Sequence, residues 1–318
     1  MESRKALVLG ASGFLGSTLC EYLCSLGESV RGFDRVAAPD SPGLSCVDWV
    51  QGDFSCAEDI DKALAGCDSI YHLLYSTIPS TSNADPAADC SENVLGTIRL
   101  LELAKHRGIK KIVFISSGGT VYGVPRMTPI KESAPVLPIC AYGISKLAIE
   151  KYLHLYHVMH GIDYCVLRVS NPYGERQRIV GAQGAVGVFL GKVLSGNPIE
   201  IWGDGKVVRD YIYAADVIRA LHMSMAYSGE ERVFNIGSGV GVSLNELVSQ
   251  IEGVLGTRVR CIYKHSRPVD VPVNVLDIRL AKEVLGWEPS VSLGEGIRRV
   301  YEYHCSSRVL KGLGTNRP

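Results

Sequence analysis

The chain has 318 residues, 46% of them hydrophobic, enough to bury a full-sized core in one large domain or two fused ones. Lys plus Arg (33) balance Asp plus Glu (33), so no net field draws the protein to nucleic acid or an anionic membrane; an anionic ligand has to be held by a few placed charges. The first apolar run, residues 6–9, is too brief for a secretory leader and no later run approaches a membrane span, which predicts a cytoplasmic protein with no membrane partner.

From residue 5 to about 170, short β-branched runs alternate with longer amphipathic stretches. Strands are predicted at 6–9, 29–33, 49–52, 70–74, 112–116 and 165–169, with helices over 14–26, 57–65, 90–107 and 142–160 between them. That alternation specifies an α/β fold, a doubly wound parallel sheet of the Rossmann type, over residues 1–174, with parts of 209–240 joining it. Residues 175–318 read mainly as a smaller C-terminal substrate-binding lobe, where glycines cluster and the alternation breaks down. In it, Ser243 and Glu246 form a capping-box signal for a helix over 244–255. A strand near 259–263 and helices near 279–285 and 293–304 follow, and the polar tail after Cys305 is expected to fray. The ten cysteines contain no CxxC pair and read as reduced, buried thiols. His154, His157 and His160 recur every three residues, a spacing that slides around the helix, with no carboxylate cluster nearby, so a surface or subunit-contact face is predicted and no metal site.

Gly10-Ala-Ser-Gly13-Phe14-Leu15-Gly16 directly follows the first strand and opens the first helix. Small residues there let the backbone approach a pyrophosphate, whose charge then rests on the free N–H groups of the helix N-terminus. Asp34 ends the second strand, where a carboxylate accepts both hydroxyls of an adenosine ribose and repels a 2′-phosphate, which selects NAD over NADP. Arg35 beside it reads as a solvated surface residue, though a guanidinium there could also receive a phosphate. Asp53, in Gly-Asp-Phe54, is placed either for the adenine amine or for an N-cap. Tyr142 and Lys146 lie four residues apart on a predicted helix, so phenol and ammonium share a face; an ammonium there, together with a positive nicotinamide ring, would lower the phenol pKa.

In this order along the chain, the glycine turn, Asp34, Asp53, Asn93-Val-Leu-Gly-Thr97, Ser116-Ser-Gly-Gly-Thr-Val-Tyr-Gly123, Tyr142 with Lys146, and Asn171-Pro-Tyr-Gly174 resemble the extended short-chain dehydrogenases/reductases. Within that group, the NAD-dependent epimerase/dehydratase family, the chain is similar to the UDP-hexose 4-epimerases over nearly its whole length. The resemblance implies a cofactor site that includes Phe14, Leu15, Phe54, Leu73, Leu74 and Asn93 as well as the reactive pair. A hydroxyl from the end of the fifth strand would share the tyrosine proton. Gly118 and Gly119 break the family's usual run of hydroxyl residues, leaving Ser117 as first choice and Thr120 as substitute. Related dehydratases carry an acidic residue just before Val-Tyr-Gly; none stands here, which favours epimerisation over elimination.

For a UDP-sugar, the resemblance assigns the diphosphate to Arg209, Arg267 and Asn171, with Tyr211 beside it, and the uridine ribose to Asp270. Trp202 would border the base, or serve as a packing aromatic in an edge strand. Where many relatives have His-Leu-Ala-Ala, this chain has His72-Leu73-Leu74-Tyr75 followed by a Ser/Thr-rich loop to Asn83, whose hydroxyls could read a 2-acetamido group or a 6-carboxylate. A homodimer paired through the helices near 90–107 and 142–160 is implied by the same resemblance. The expected reaction is epimerisation at C4 through a 4-keto sugar. The rival readings are a one-way nucleotide-sugar ketoreductase, dehydrogenase or dehydratase and, from another class, a non-enzymatic nucleotide sensor.

Overall fold

The computed structural model describes residues 5–39, 41–179, 184–265 and 271–313. The chain begins with β1 (Lys5–Leu9), α1 (Phe14–Ser25), β2 (Ser29–Asp34), β3 (Asp48–Gln51), α2 (Ala57–Leu64), β4 (Ser69–His72), α3 (Pro86–Asp89), α4 (Gly96–Arg107), β5 (Lys111–Ser117), α5 (Ala141–His160) and β6 (Asp163–Val169). It continues through β7 (Asn171–Tyr173), α6 (Ala185–Leu194), β8 (Ile199–Trp202), β9 (Val208–Tyr213), α7 (Ala214–Ala226), β10 (Val233–Ile236), β11 (Gly241–Ser243), α8 (Leu244–Leu255), β12 (Cys261–Lys264), β13 (Val273–Asn274), α9 (Arg279–Leu285) and α10 (Leu293–Leu313).

Seven strands form one parallel sheet in the order β10-β6-β5-β4-β1-β2-β3. Its strands read as nearly continuous apolar runs because both faces are covered. On one face Leu19 and Leu23 of α1 and Val217 and Leu221 of α7 pack over Val8, Val113 and Leu167. On the other, Ile60 of α2, Leu100 of α4 and Ile149 and Leu153 of α5 pack over Leu7, Leu9, Ile112 and Phe114. Each such side chain contributes about 1.5–3 kcal/mol by leaving water. A third cluster, with Phe189, Ile199, Ile201, Leu247, Ile251 and Ile297, forms a separate core around α6, α8 and α10. There β9 pairs with β7, β11 and β13, and β8 pairs with β12.

Strand order reverses at β1, which has β2 on one side and β4 on the other, opening a crevice at their carboxyl ends where ligands of such sheets bind. The capping box at Ser243 and Glu246 is formed, with Ser243 Oγ accepting from Glu246 N at 3.2 Å and Glu246 Oε2 accepting from Ser243 N at 2.7 Å.

Three expectations need correction. The region predicted as one helix over 90–107 is α3, a six-residue widened stretch at Cys90–Leu95, and α4. The tail does not fray at Cys305, because α10 continues to Leu313. Two cysteines are not reduced thiols: Cys24 of α1 is disulfide-bonded to Cys46, brought across by the short helical turn Pro42–Leu44 that packs on α1, while eight stay free.

Candidate active site

The glycine turn closes the β1 end of the crevice. Gly10 has φ +81°, and a Cβ at Gly16 would stand 2.0 Å from the Gly10 carbonyl oxygen, so the turn and the first helical turn lie this close only because both are glycine. Asp34 stands at the end of β2 with one carboxylate oxygen accepting from Ser12 N at 3.1 Å and the other from Val36 N at 3.3 Å, which fixes it beside the turn with acceptor capacity left for a ribose diol. The residues thus fit a dinucleotide: a small-residue cradle, a helix N-terminus and a carboxylate at one edge. Arg35 is exposed. Asp53 is exposed and accepts from Ser55 N and Oγ, both at 2.7 Å, which holds its carboxyl below the usual range; the cap of α2 itself is Cys56, so neither the helix-cap alternative nor burial accounts for Asp53.

Other residues of the predicted cofactor set line or back the same cleft. The Phe14 ring faces Gly174, and Leu15 packs onto the core under α1. Leu73 N donates to Leu9 O at 3.1 Å, which ties the β4 loop to β1, and Leu74 N lies 2.9 Å from where a Cβ on Gly10 would stand. Phe54 covers Gly96 and meets the ring of His72. Asn93 is buried and its amide is committed: Oδ1 accepts from Ser76 N at 3.0 Å, and Nδ2 donates to Ser76 Oγ and Asp89 O, each at 2.9 Å. It builds the wall of the cleft.

Tyr142 and Lys146 share the first turns of α5 beside the carboxyl end of β5. The Lys146 ammonium lies 5.6 Å from the Tyr142 ring centroid and donates to Ile115 O at 2.7 Å. Burial lowers the Lys146 pKa to about 7, against Glu150 and Asp89, which raise it. Burial also raises the Tyr142 phenol well above its usual value, with Cys140 and Asp89 adding to the effect. The expected priming of the phenol by Lys146 is therefore not a property of the protein groups alone. The two candidate hydroxyls lie at the carboxyl end of β5 and on the segment that follows it. Ser117 ends β5; Thr120 Oγ1 is buried without a hydrogen-bond partner, and its carbonyl lies 3.0 Å from where a Cβ on Gly143 would stand. Gly118 is dictated by packing, since a Cβ there would meet Leu276 Cδ1 at 2.5 Å and Arg168 O at 3.0 Å. At Gly119 a Cβ would meet nothing closer than Ser117 Oγ at 3.8 Å, so packing accounts for the first glycine of the pair and not the second.

The Ser/Thr-rich loop offers fewer free hydroxyls than its composition suggests. Ser76 bonds Asn93, Thr77 donates to Asp89, and Ser82 Oγ and Asn83 Oδ1 accept from the first N–H groups of α5, Tyr142 N at 3.1 Å and Ala141 N at 2.8 Å. These groups hold the reactive helix in place.

Across the cleft, β7 and β9 pair so that Asn171 lies beside Tyr211. Asn171 Nδ2 donates to Asp210 O at 2.8 Å, Arg209 Nη1 donates to Val208 O and Val271 O, and burial raises the Tyr211 phenol to about 12. Trp202 is 40% exposed at the end of β8. Arg267 and Asp270 lie outside the described residues. Among the described residues no group of three or more metal-ligating side chains gathers, and His154 and His157 turn toward Tyr164 Oη and Ile162 O. Nor is any described helix long and apolar enough to cross a membrane.

Sequence reasoning missed two buried groups behind the reactive pair. Asp89 accepts from Ser145 Oγ at 2.6 Å and from Thr77, tying α3 to α5 and to the β4 loop. Glu150, one turn beyond Lys146, pairs with Arg168 of β6 at 2.7 Å and accepts from Ser116. The signal available for Glu150 was its i, i+4 spacing from Lys146 on an otherwise apolar helix face.

The model of the NAD dependent epimerase/dehydratase family matches residues 6–237. The chain is 36% identical over 306 residues to a UDP-glucose 4-epimerase of Mycolicibacterium smegmatis, covering 94% of this chain and 98% of the relative. It is 35% identical over 312 residues to a dTDP-4-dehydro-6-deoxyglucose reductase of Escherichia coli, again covering 94% and 98%. A solved UDP-glucose 4-epimerase of Thermotoga maritima with UDP-glucose matches with a TM-score of 0.91 at 35% identity, over 96% of this chain and 99% of that one. A glycine cradle beside a carboxylate at the end of β2, a tyrosine and lysine in the first turns of α5, and agreement over almost the full length lead to one assignment: the chain belongs to the NAD-dependent epimerase/dehydratase family, as an extended short-chain dehydrogenase/reductase resembling the UDP-hexose 4-epimerases, and its cofactor is NAD.

Proposed function

We propose that this protein epimerises a UDP-linked hexose at C4 through a 4-keto sugar. The observation that carries the reading is the Tyr142–Lys146 pair in the first turns of α5, with the ammonium buried 5.6 Å from the phenol ring, the unpartnered buried hydroxyl of Thr120 on the segment after β5, and no carboxylate at 118–120 to drive elimination. When bound, NAD supplies a reversible hydride acceptor and a positive ring. Tyr142, as phenolate, takes the proton from the sugar 4-hydroxyl and later returns one to the ketone oxygen; the Lys146 charge favours the phenolate, and Ser117, or Thr120 in its place, passes the proton along. Arg209 and Asn171, with Arg267, hold the diphosphate while the hexose turns between the two half-reactions, and Tyr211, Trp202 and Asp270 line the uridine side.

Incubating the purified protein with UDP-glucose, UDP-N-acetylglucosamine and UDP-glucuronate, with no added cofactor, and resolving the products tests this directly. Interconversion of C4 epimers is expected with at least one sugar, and Tyr142→Phe should lower the rate by about 10²–10⁴-fold while leaving the fold intact. A second reading, a one-way ketoreductase, is favoured by the similarity to the dTDP-4-dehydro-6-deoxyglucose reductase. Stoichiometric consumption of added NADH with a 4-keto nucleotide sugar would select it. We also place the protein in a homodimer, since Leu155, Val158 and Met159 of α5 and Leu95 before α4 leave apolar surface exposed on the helices that the family resemblance pairs.

A further inference from the structure

The ring of Tyr75, at the carboxyl end of the β4 segment, lies against the reactive pair. The Lys146 ammonium is 4.0 Å from the Tyr75 ring centroid and 4.6 Å from that of Phe114. Tyr75 and Tyr142 meet edge to face at 4.7 Å, and Tyr75 Oη donates to the Tyr142 carbonyl at 3.4 Å. The loop is fixed from below: the next residue, Ser76, is bonded twice by Asn93, and Thr77 is bonded by buried Asp89. The ring therefore has little freedom to leave this position.

An ammonium out of water with a single carbonyl acceptor needs further negative charge around it. The ionisable groups facing it are Glu150 from its own helix, Asp89 from α3, His72 from β4, Tyr142, and Tyr75 itself. Neither carboxylate forms an ion pair with it: Glu150 is paired with Arg168 and bonded by Ser116, and Asp89 is bonded by Ser145, Thr77 and Asn93. Burial keeps His72 neutral, and Tyr142 and Tyr75 are neutral phenols held above their usual range by burial. What remains in contact are the electron-rich faces of two rings, Tyr75 at 4.0 Å and Phe114 at 4.6 Å, of which Tyr75 is the nearer.

We propose that Tyr75 is a positioning residue of the reactive pair: its ring face holds the Lys146 ammonium as a cation–π partner, and its edge and hydroxyl fix the turn of α5 that carries Tyr142. The inference rests on the reading of Tyr142 and Lys146 as the reactive pair. Its effect is to keep the amine charged in a cleft that would otherwise favour the neutral form.

Tyr75→Phe removes the hydroxyl and keeps the ring, whereas Tyr75→Leu and Tyr75→Met remove both and leave Phe114 in place, so the difference between the phenylalanine and the ringless variants isolates the ring of Tyr75. The test is an NMR titration of ¹³C-lysine-labelled full-length protein, with the Lys146 signal assigned by its loss in Lys146→Met, compared for wild type, Tyr75→Phe, Tyr75→Leu and, in case the leucine variant fails to fold, Tyr75→Met. Tyr75→Phe should titrate with the wild type, whereas Tyr75→Leu and Tyr75→Met should titrate lower by about one pH unit, the size of a desolvated cation–π contact. The alkaline limb of kcat/KM should move down by the same amount. Leucine and methionine variants that titrate with the wild type overturn the proposal. A protein that converts no nucleotide sugar yet shows the shift overturns the functional reading and supports the contact.

Discussion

His72 lies inside the sheet between the rings of Phe54 and Phe114, with Nε2 3.0 Å from Thr97 Oγ1. Burial, reinforced by Lys146, lowers its pKa from 6.5 to about 3. Between those values the unfolded chain binds more protons than the folded one, so the stability due to the neutral ring is complete above about pH 6.5 and is lost as pH falls. At pH 5 the loss is about 2 kcal/mol relative to pH 8. His72→Gln cannot take up a proton and should remove that share of the acid sensitivity, read as the difference between urea unfolding free energies at pH 5 and 8. An undiminished difference would show that other groups set the acid limit. At this scale the motif residues stood out through their order along the chain: the glycine turn, Asp34, Tyr142 and Lys146 follow predicted strands in the sequence the resemblance requires, whereas a Tyr and a Lys four residues apart would alone read as a solvated helix face. Asp89 and the ring of Tyr75 were not, since their significance comes from residues distant in sequence that fold against them.

Among the elements, α5 carries the most tension between burial and charge. Glu150 and Arg168 form a nearly water-free pair linking α5 to β6, and Arg168 also donates to Tyr122 Oη at 3.0 Å. Removing one partner leaves a buried charge without compensation, so Glu150→Ala should cost about 3–5 kcal/mol. The double variant Glu150→Leu/Arg168→Met should recover most of that loss, and chemical denaturation of the three proteins decides it. The alternating first half of the chain was readable because its strands, some only four residues long, recur between amphipathic helices of eight to twenty residues, and α8 was located to the residue by its capping box. The second half was harder: β7, β8, β11 and β13 are two to four residues long, too short to show a period, and α6 is apolar on most sides. The widened stretch at Cys90–Leu95 has no sequence signature, because its geometry follows from Asn93 reaching the β4 loop.

For the molecule as a whole, the proposed dimer is the assembly-level question. Val158 is 68% exposed on α5 and lies far along the helix from Tyr142, so Val158→Glu should convert a dimer to monomers in sedimentation equilibrium without unfolding the subunit. A wild-type protein that sediments as a monomer at micromolar concentration would remove this part of the reading. The doubly wound class was evident in the sequence, whereas the route of the chain between its two cores was only partly so.

That route bears on how the protein is made. A polypeptide growing from its N-terminus at the ribosome has six of the seven strands of the large sheet in hand by Val169, but β6 remains an open edge of Cys165, Val166 and Leu167 until residues 233–236 emerge and pair with it. In the interval the chain has already laid down β7 to β9 of the other core. A product released during that window would present a bare apolar strand to its neighbours, so β10 acts as the late seal that separates a soluble nascent chain from one inclined to stick to copies of itself.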